Sequence, residues 1–538
     1  MGNDAVAERV VQLITCRHTN EGVGTKVHLI EGGVKIRYLG NKELISPEIV
    51  KLLKSKGLLG KKLKFFDAFC GTGSVSDSVK QHFDIAVNDI LISSVTYTRG
   101  RLVAQNCTFQ KLGKDPFDFF NSNNDRLEGF MFNTYSPGGS ERMYFSEENA
   151  GRIDYFRATI ESWYDGKKIN DDEYHYLLAC LIESVSFVSN TAGVYGAFLK
   201  KWDSRALKPI QFLKVESLDG GNLSLEYHNS KIEEIIAEVS CDILYLDPPY
   251  TQNQYGTQYH LLETLVLDDN PSVSRVTGSR PVTPTRSDWS IDFKTHIHFD
   301  HVIANTRAKY VLFSYSPDGF MTKKYIDACL KRYGKWETYQ CKKIDYKRYE
   351  NWKSKKGKSH FEYLFFIELK DKKDVTYASP LNYIGSKARL IDKIRDNLPV
   401  NKIDTFIDAF GGGFNVGINI DSKSIFYNDN NHIVSELMSI FKEYDTYKLL
   451  LYFRRQIKRF GLEKENKDIP VLQAEVTRSK KEFDKLIKMG VKTIRIVDEM
   501  FLLNPKYYIP LCKLLAERNK DDSLRMWSYS RIDTVKRP

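Results

Sequence analysis

Cysteine is sparse in this chain: eight in 538 residues, at positions 16, 70, 107, 180, 241, 329, 341 and 512, with no C-x-x-C among them. That scatter excludes a disulfide scaffold and a cysteine-rich zinc module and suits a reducing compartment, so no metal site and a cytoplasmic location are expected. No apolar run reaches the ~18 residues of a membrane helix, so no membrane partner is expected. The first ten residues already carry Asp4, Glu8 and Arg9 and hold no secretory apolar core. Val6 stands where a myristoylation signal needs Ser or Thr. The phosphate-binding string G-x-x-x-x-G-K-[ST] is absent, which disfavours a P-loop NTPase.

What is present is ordinary globular material, 42% hydrophobic and 28% charged, long enough for several domains. The formal charge is +11, a balance compatible with a polyanionic partner. Its distribution is more telling than its sum. Between Cys341 and Lys358 lie Lys342, Lys343, Lys347, Arg348, Lys353, Lys355, Lys356 and Lys358 against Asp345 and Glu350, with Tyr346, Tyr349 and Trp352 interleaved. Cations for phosphates beside rings for sugar or base form a nucleic-acid footprint; a solvated hairpin has the same composition.

The chain also repeats itself. Tyr38-Leu39-Gly40-Asn41-Lys42, then Asp67-Ala68-Phe69-Cys70-Gly71-Thr72-Gly73, then Asn88-Asp89 reappear downstream. The later copies are Tyr383-Ile384-Gly385-Ser386-Lys387, Asp408-Ala409-Phe410-Gly411-Gly412-Gly413 and Asn428-Asp429. From Tyr to Asp is 29 residues in one copy and 25 in the other; from that Asp to the next is 22 and 21. Three ordered matches at such spacing mark a duplicated unit. The expected division is a first domain over 1–369, a linker over 370–377 and a second, shorter domain over 378–538.

A buried strand ending in Asp-x-Phe-x-Gly-x-Gly before a helix lets the backbone approach a ligand closely, and an acid about twenty residues on can accept from a ribose diol. Asp89 and Asp429 fit that role. Lys42 and Lys387, each two residues past a glycine, are long enough to reach a carboxylate. The chemistry is carried further along. Cys241-Asp242-Ile243-Leu244-Tyr245-Leu246 reads as a buried strand running into Asp247-Pro248-Pro249-Tyr250. Two prolines forbid continuation of helix or ladder, so the chain leaves the sheet rigidly. The Asp carboxylate and a proline carbonyl can then converge as acceptors for an exocyclic amine, with the Tyr ring as a wall for an aromatic base.

In this order, Y-x-G-x-K, D-x-F-x-G-x-G, a strand-end acid and D-P-P-Y resemble the Dam-like, D12-class adenine-N6 DNA methyltransferases. Two units in one chain resemble the fused modification methylases of type IIS restriction systems, of the FokI kind. The resemblance implies an α/β chain of two class I S-adenosylmethionine-dependent methyltransferase domains, Rossmann-like and doubly wound, the second incomplete. It implies a bacterial, site-specific enzyme that transfers the methyl of S-adenosylmethionine to N6 of a flipped-out adenine in double-stranded DNA, protecting it from a paired restriction endonuclease. Tyr38, Gly40, Lys42, Asp67, Phe69, Gly71, Gly73 and Asp89 are implied cofactor residues in the first unit. Tyr383, Lys387, Asp408, Phe410, Gly411, Gly413 and Asp429 are their implied counterparts. Asp247, Pro248, Pro249 and Tyr250 form the implied target-base site.

Ala308–Tyr315 reads as the next strand, and Trp336–Tyr346 with Phe361–Leu369 as a final antiparallel pair carrying the basic run, including Lys353, Lys355 and Lys356, on its hairpin. The insert at about 95–238 is where such enzymes place target recognition. It holds a helix over Tyr174–Ile182 and a glycine-rich loop whose Tyr195, Phe198, Lys200 and Lys201 are expected against DNA; a packing corner between helix and loop is the alternative.

The pattern departs in the second unit, which has no Asp-Pro-Pro-Tyr. Its nearest string is Asn504-Pro505-Lys506-Tyr507. The expectation is either a fragment or frameshifted product, or a half that binds without catalysis, so that one DNA strand at most is methylated. Two rivals stand beside the reading: an RNA or protein-amide methyltransferase with the same acceptor logic, and a non-catalytic DNA-binding subunit. Glutamine methylation favours Asn before the prolines, and a cytosine-C5 enzyme needs a Pro-Cys, which does not occur here.

Overall fold

The computed structural model describes residues 40–220, 224–346, 360–379, 381, 385–399, 403–460, 470–496, 505–520 and 523–528. The chain divides into two compact units between Val375 and Thr376, inside the stretch read as a linker. Val375 itself is buried in the first unit's core.

The first unit is built on seven strands: β1 (Lys64–Asp67), β2 (Asp84–Asn88), β3 (Leu225–His228), β4 (Ile243–Leu246), β5 (Tyr310–Tyr315), β6 (Gly334–Tyr346) and β7 (His360–Leu369). Their order is 3-2-1-4-5-7-6. The first five are parallel and β7 is antiparallel to both neighbours. The order reverses between β1 and β4, the switch point where open α/β sheets bind ligands beyond the carboxyl ends of their strands.

Strand side chains alternate between two apolar layers, as a pleat with period two requires. Phe65, Ile243, Tyr245, Leu312, Leu364 and Phe366 face one layer, which includes Ile49, Leu52 and Leu53 of α1 (Ser46–Ser55) and Val75 and Val79 of α2 (Ser74–Val79). Phe66, Leu244, Leu246, Phe313, Phe365 and Ile367 face the other.

Between β2 and β3 the chain builds a helical lobe from α3 (Ile92–Val103), α4 (Glu147–Asp165) and α5 (Asp171–Val188). Ser146 caps α4, its hydroxyl accepting from the Asn149 N–H at 3.2 Å. Asn170 and Glu173 close a reciprocal capping box on α5. The lobe has its own aromatic core, including Phe120, Tyr144, Phe145, Phe156 and Tyr259. The stretch read as an insert over 95–238 therefore contains a strand of the sheet, since β3 pairs with β2. Beyond β4 come α6 (His260–Leu267), α7 (Lys294–Asn305) and α8 (Lys323–Tyr333).

In the second unit the described residues include a parallel pair, β8 (Ile403–Asp408) and β9 (Ser422–Tyr427), followed by α9 (His432–Glu443) and α10 (Thr446–Phe460). A helix over Pro505–Arg518 begins at the nearest string to a second Asp-Pro-Pro-Tyr, so Pro505 opens a helix there. Among the described residues no helix is long and apolar enough to cross a membrane.

Candidate active site

The two glycine turns share a set of four backbone-donor hydrogen bonds. In the first unit the Cys70 N–H donates to the Asn88 carbonyl at 2.9 Å, and Gly73 N–H closes onto the Cys70 carbonyl at 2.7 Å. The Gly71 N–H donates to Asp89 Oδ2 at 3.1 Å, while Oδ1 accepts from Leu91 N–H at 2.9 Å. In the second unit Gly411 N–H donates to the Asn428 carbonyl at 2.9 Å and Phe414 N–H to the Gly411 carbonyl at 2.7 Å. The Gly412 N–H donates to Asp429 Oδ2 at 2.8 Å, and Oδ1 accepts from Asn431 N–H at 2.9 Å.

These bonds fix the register of the repeat. Gly71 (φ 52°) corresponds to Gly412 (φ 49°), and Gly73 (φ 67°) to Phe414 (φ 61°). Three consecutive glycines hid this in the sequence. Gly413 is therefore not the counterpart of Gly73, and Gly412 holds the central place that the sequence reading left unassigned. Gly411 is required for a different reason: a Cβ there would lie 2.3 Å from the Tyr427 ring.

In the first unit the carboxyl ends of β1, β2, β3 and β4 meet around one cleft. Of the sequence-derived residues it brings together Gly40, Lys42, Asp67, Phe69, Gly71, Asp89, Asp247, Pro248, Pro249 and Tyr250. The ladder explains the meeting: Asp67 lies opposite Tyr245, which sets Asp247 just past the edge of the sheet beside the glycine turn.

Asp67 Oδ2 accepts from the Ser76 hydroxyl at 2.7 Å, whereas buried Oδ1 makes no well-formed hydrogen bond. Burial raises its carboxyl to about 6, against the pull of Ser76. Asp89 is raised to about 7, again by burial, with its backbone donors opposing.

At the mouth, Lys42 Nζ sits 3.0 Å from Asp247 Oδ1 and 2.6 Å from Glu362 Oε1. All three side chains are largely withdrawn from solvent, Glu362 most completely. Burial pulls the Lys42 ammonium down, but Asp247 and Glu362 together hold it well above the usual lysine range. Burial pushes the Asp247 carboxyl up; Lys42 opposes and Glu362 adds to the rise. The Tyr250 ring stands edge-on to Tyr315, centroids 6.1 Å apart, and its carbonyl accepts from Phe320 N–H at 3.1 Å.

Several lining residues carried no motif. Trp289 packs edge-on to Phe69 at 5.2 Å and donates its indole N–H to Glu233 at 3.2 Å. Tyr255 closes the wall near Gly40, where a Cβ would meet its hydroxyl at 3.2 Å.

The glycine-rich loop corrects an expectation. Tyr195 is buried in the lobe core; its carbonyl accepts from the Tyr144 hydroxyl at 2.9 Å and pairs with His260 Nε2 at 2.8 Å. It cannot face DNA. Phe198 is half-buried, edge-on to Tyr144 at 5.2 Å, while Lys200 and Lys201 are exposed. Tyr38, Tyr383, Lys353, Lys355, Lys356 and Asn504 lie outside the described residues. In the second unit Lys387 is exposed, Asp408 is buried and Phe410 is 91% exposed.

The sequence profile of the D12 class N6 adenine-specific DNA methyltransferases matches residues 38–324 and 383–523, one span in each unit. The type II methyltransferase M.FokI of Planomicrobium okeanokoites is 35% identical over 460 residues, covering 80% of this chain and 70% of that protein. The modification methylase StsI of Streptococcus sanguinis is 33% identical over 459 residues, covering 80% of this chain and 69% of its own. The type II methyltransferase M.NlaIII of Neisseria lactamica is 34% identical over 318 residues, 56% of this chain and 90% of that one. With its cleft at the switch point, a doubled turn and a family match in both units, the chain belongs to the D12 class of N6 adenine-specific DNA methyltransferases.

Proposed function

We propose that the first unit methylates adenine N6 at a specific site in double-stranded DNA with S-adenosylmethionine as donor, in the cytoplasm of a bacterium, and that this marks the DNA against a paired restriction endonuclease. The observation that carries the reading is the convergence of Asp67, Lys42, Asp247 and Tyr250 on one cleft.

The residues fit the cofactor. Asp67 Oδ1 is a buried acceptor without a well-formed bond of its own, at the wall of the cleft that the glycine turn and Asp89 also line. Asp89 would hold the ribose, the Gly71 turn would let the chain approach closely, and Phe69 with Trp289 offers an aromatic wall. Bound there, S-adenosylmethionine supplies an electrophilic methyl group on a sulfonium.

The remaining work belongs to the protein. The N6 lone pair of adenine is delocalised into the ring, and inside a duplex the amine is paired. Turning the base out costs a few kcal/mol, and a Tyr250 ring stacked on it would return roughly 1–3 kcal/mol. Asp247 and the Pro248 carbonyl would accept the two amine hydrogens, drawing the nitrogen towards tetrahedral geometry and aiming its lone pair at the methyl. Positioning and fixed electrostatics then supply the acceleration.

For the second unit, the matched turn around Gly411, Gly412 and Asp429 supports a nucleotide-binding role without transfer. Its residues would be Lys387, Asp408, Phe410, Gly411, Gly412 and Asp429, with Gly412 rather than Gly413 on the carboxylate. Lys200 and Lys201, with Lys353, Lys355 and Lys356, are the proposed phosphate contacts. The test is Asp247→Ala with tritiated S-adenosylmethionine and unmodified plasmid DNA. Labelling should fall at least a thousandfold with cofactor binding kept; near-normal labelling would overturn the mechanism.

A further inference from the structure

The amine-binding Asp247 is one end of a buried chain of three charges, and no motif foretells the other end. Glu362 lies on β7, 320 residues from Lys42 in sequence, opposite Ile344 of β6. Because β7 runs antiparallel to β5, its first residues arrive at the carboxyl edge of the sheet, where the cleft opens. Glu362 does not line the cleft; Lys42 and Asp247 do. A buried carboxylate beside an ammonium is expensive to keep unless it serves that ammonium. Asp247 alone would suffice to neutralise Lys42.

We propose that Glu362 is a positioning residue for methyl transfer, acting through Lys42: it draws the ammonium away from exclusive pairing with Asp247, so that Asp247 keeps acceptor strength for the amine hydrogen. The proposal rests on the reading of Asp247 given above. A carboxylate paired only to Lys42 would be a weaker acceptor, because its charge would already be spent. Shared between two carboxylates, one ammonium leaves the group with a net negative charge when all three are ionised. Among the described residues, the other groups facing this cluster include Asp67 from β1, Tyr245 from β4, and Tyr250 and Tyr255 from the segment after β4. Asp67 is a further carboxylate, but it accepts from Ser76, so among the described residues Asp247 and Glu362 are the two that divide Lys42.

The experiment uses the full chain, tritiated S-adenosylmethionine and unmodified plasmid DNA. Glu362→Gln keeps the shape and removes the charge. The expected result is a tenfold or greater fall in kcat, a cofactor Kd within threefold of the parent by calorimetry, and an acidic limb of the kcat–pH profile moved to lower pH. The sign follows from the geometry: removing a negative neighbour makes Asp247 easier to ionise. Glu362→Asp, which keeps the charge on a shorter stem, should recover part of the rate and return the limb towards the parent position. An unmoved limb in a folded Glu362→Gln protein, or a loss lying wholly in cofactor binding, would overturn the inference. If instead Asp247→Ala still methylates, the underlying reading fails, which is a separate result.

Discussion

Phe414 takes φ 61° at the position where Gly73 takes 67°. The same backbone is thus reached by a bulky residue in one copy of the turn and by glycine in the other, and the surroundings explain why. A Cβ on Gly73 would lie 2.8 Å from Cγ2 of Thr98, a fully buried side chain whose hydroxyl donates to the Gly71 carbonyl at 3.1 Å. Gly73→Ala therefore meets both the left-handed penalty and a neighbour held in place. The expected cost is about 2 kcal/mol, read as a lowered denaturation midpoint in the first unit; an unchanged midpoint would contradict this account of the turn.

The lobe loop separates packing from binding. Tyr195→Ala should cost about 3 kcal/mol of stability, as for a buried ring, measured by chemical denaturation. Lys200→Gln with Lys201→Gln should leave stability alone, weaken duplex binding and lower the slope of log affinity against log salt by up to about 2. Fluorescence anisotropy across a salt series reads this, and an unaltered slope would remove these lysines from the interface.

Buried acids give the first unit a pH signature. Asp67 is raised to about 6 and Asp89 to about 7 in the folded chain, from an ordinary value near 3.8. Such groups bind protons more readily when folded, so their stabilising share is full below about pH 4 and is lost as pH rises through 6 to 7. Cofactor-free protein should thus lose stability over that window. Asp67→Asn should flatten the earlier part of the decline; pH-resolved urea unfolding that shows the same slope in parent and variant would contradict it.

Only the first unit carries Asp-Pro-Pro-Tyr. Methylation mapped on each strand of a duplex bearing the target site should therefore appear on one strand. Modification of both strands by this chain would show that the second unit also transfers.

The sheet and the cleft were largely legible because their signals are local. Buried runs such as Ile243–Leu246 end where prolines force an exit, and glycine turns sit at fixed distances from an acid. Glu362 was not legible: its strand has no motif, and its role arises only when β7 folds back across more than three hundred residues. Trp289 and Tyr255 reach the cleft from single helical turns that follow β4, again without a local pattern. Tyr195 misled because a ring among glycines and lysines has the composition of a contact loop, while its burial depends on Tyr144 and His260, far away in sequence. The second turn's register was easy to misread because three adjacent glycines stand together, and the backbone bonds to Asn428 and Asp429 select Gly412 as the counterpart of Gly71.

The central claim is that Asp247, beside Tyr250, directs a methyl group onto the exocyclic nitrogen of adenine. Its most direct test is mass spectrometry of nucleosides from DNA of cells expressing the parent chain or its Asp247→Ala variant. The parent should yield N6-methyladenine and no methylated cytosine, and the variant neither. N6-methyladenine at parental levels in the variant, or methylcytosine from the parent, would contradict the account.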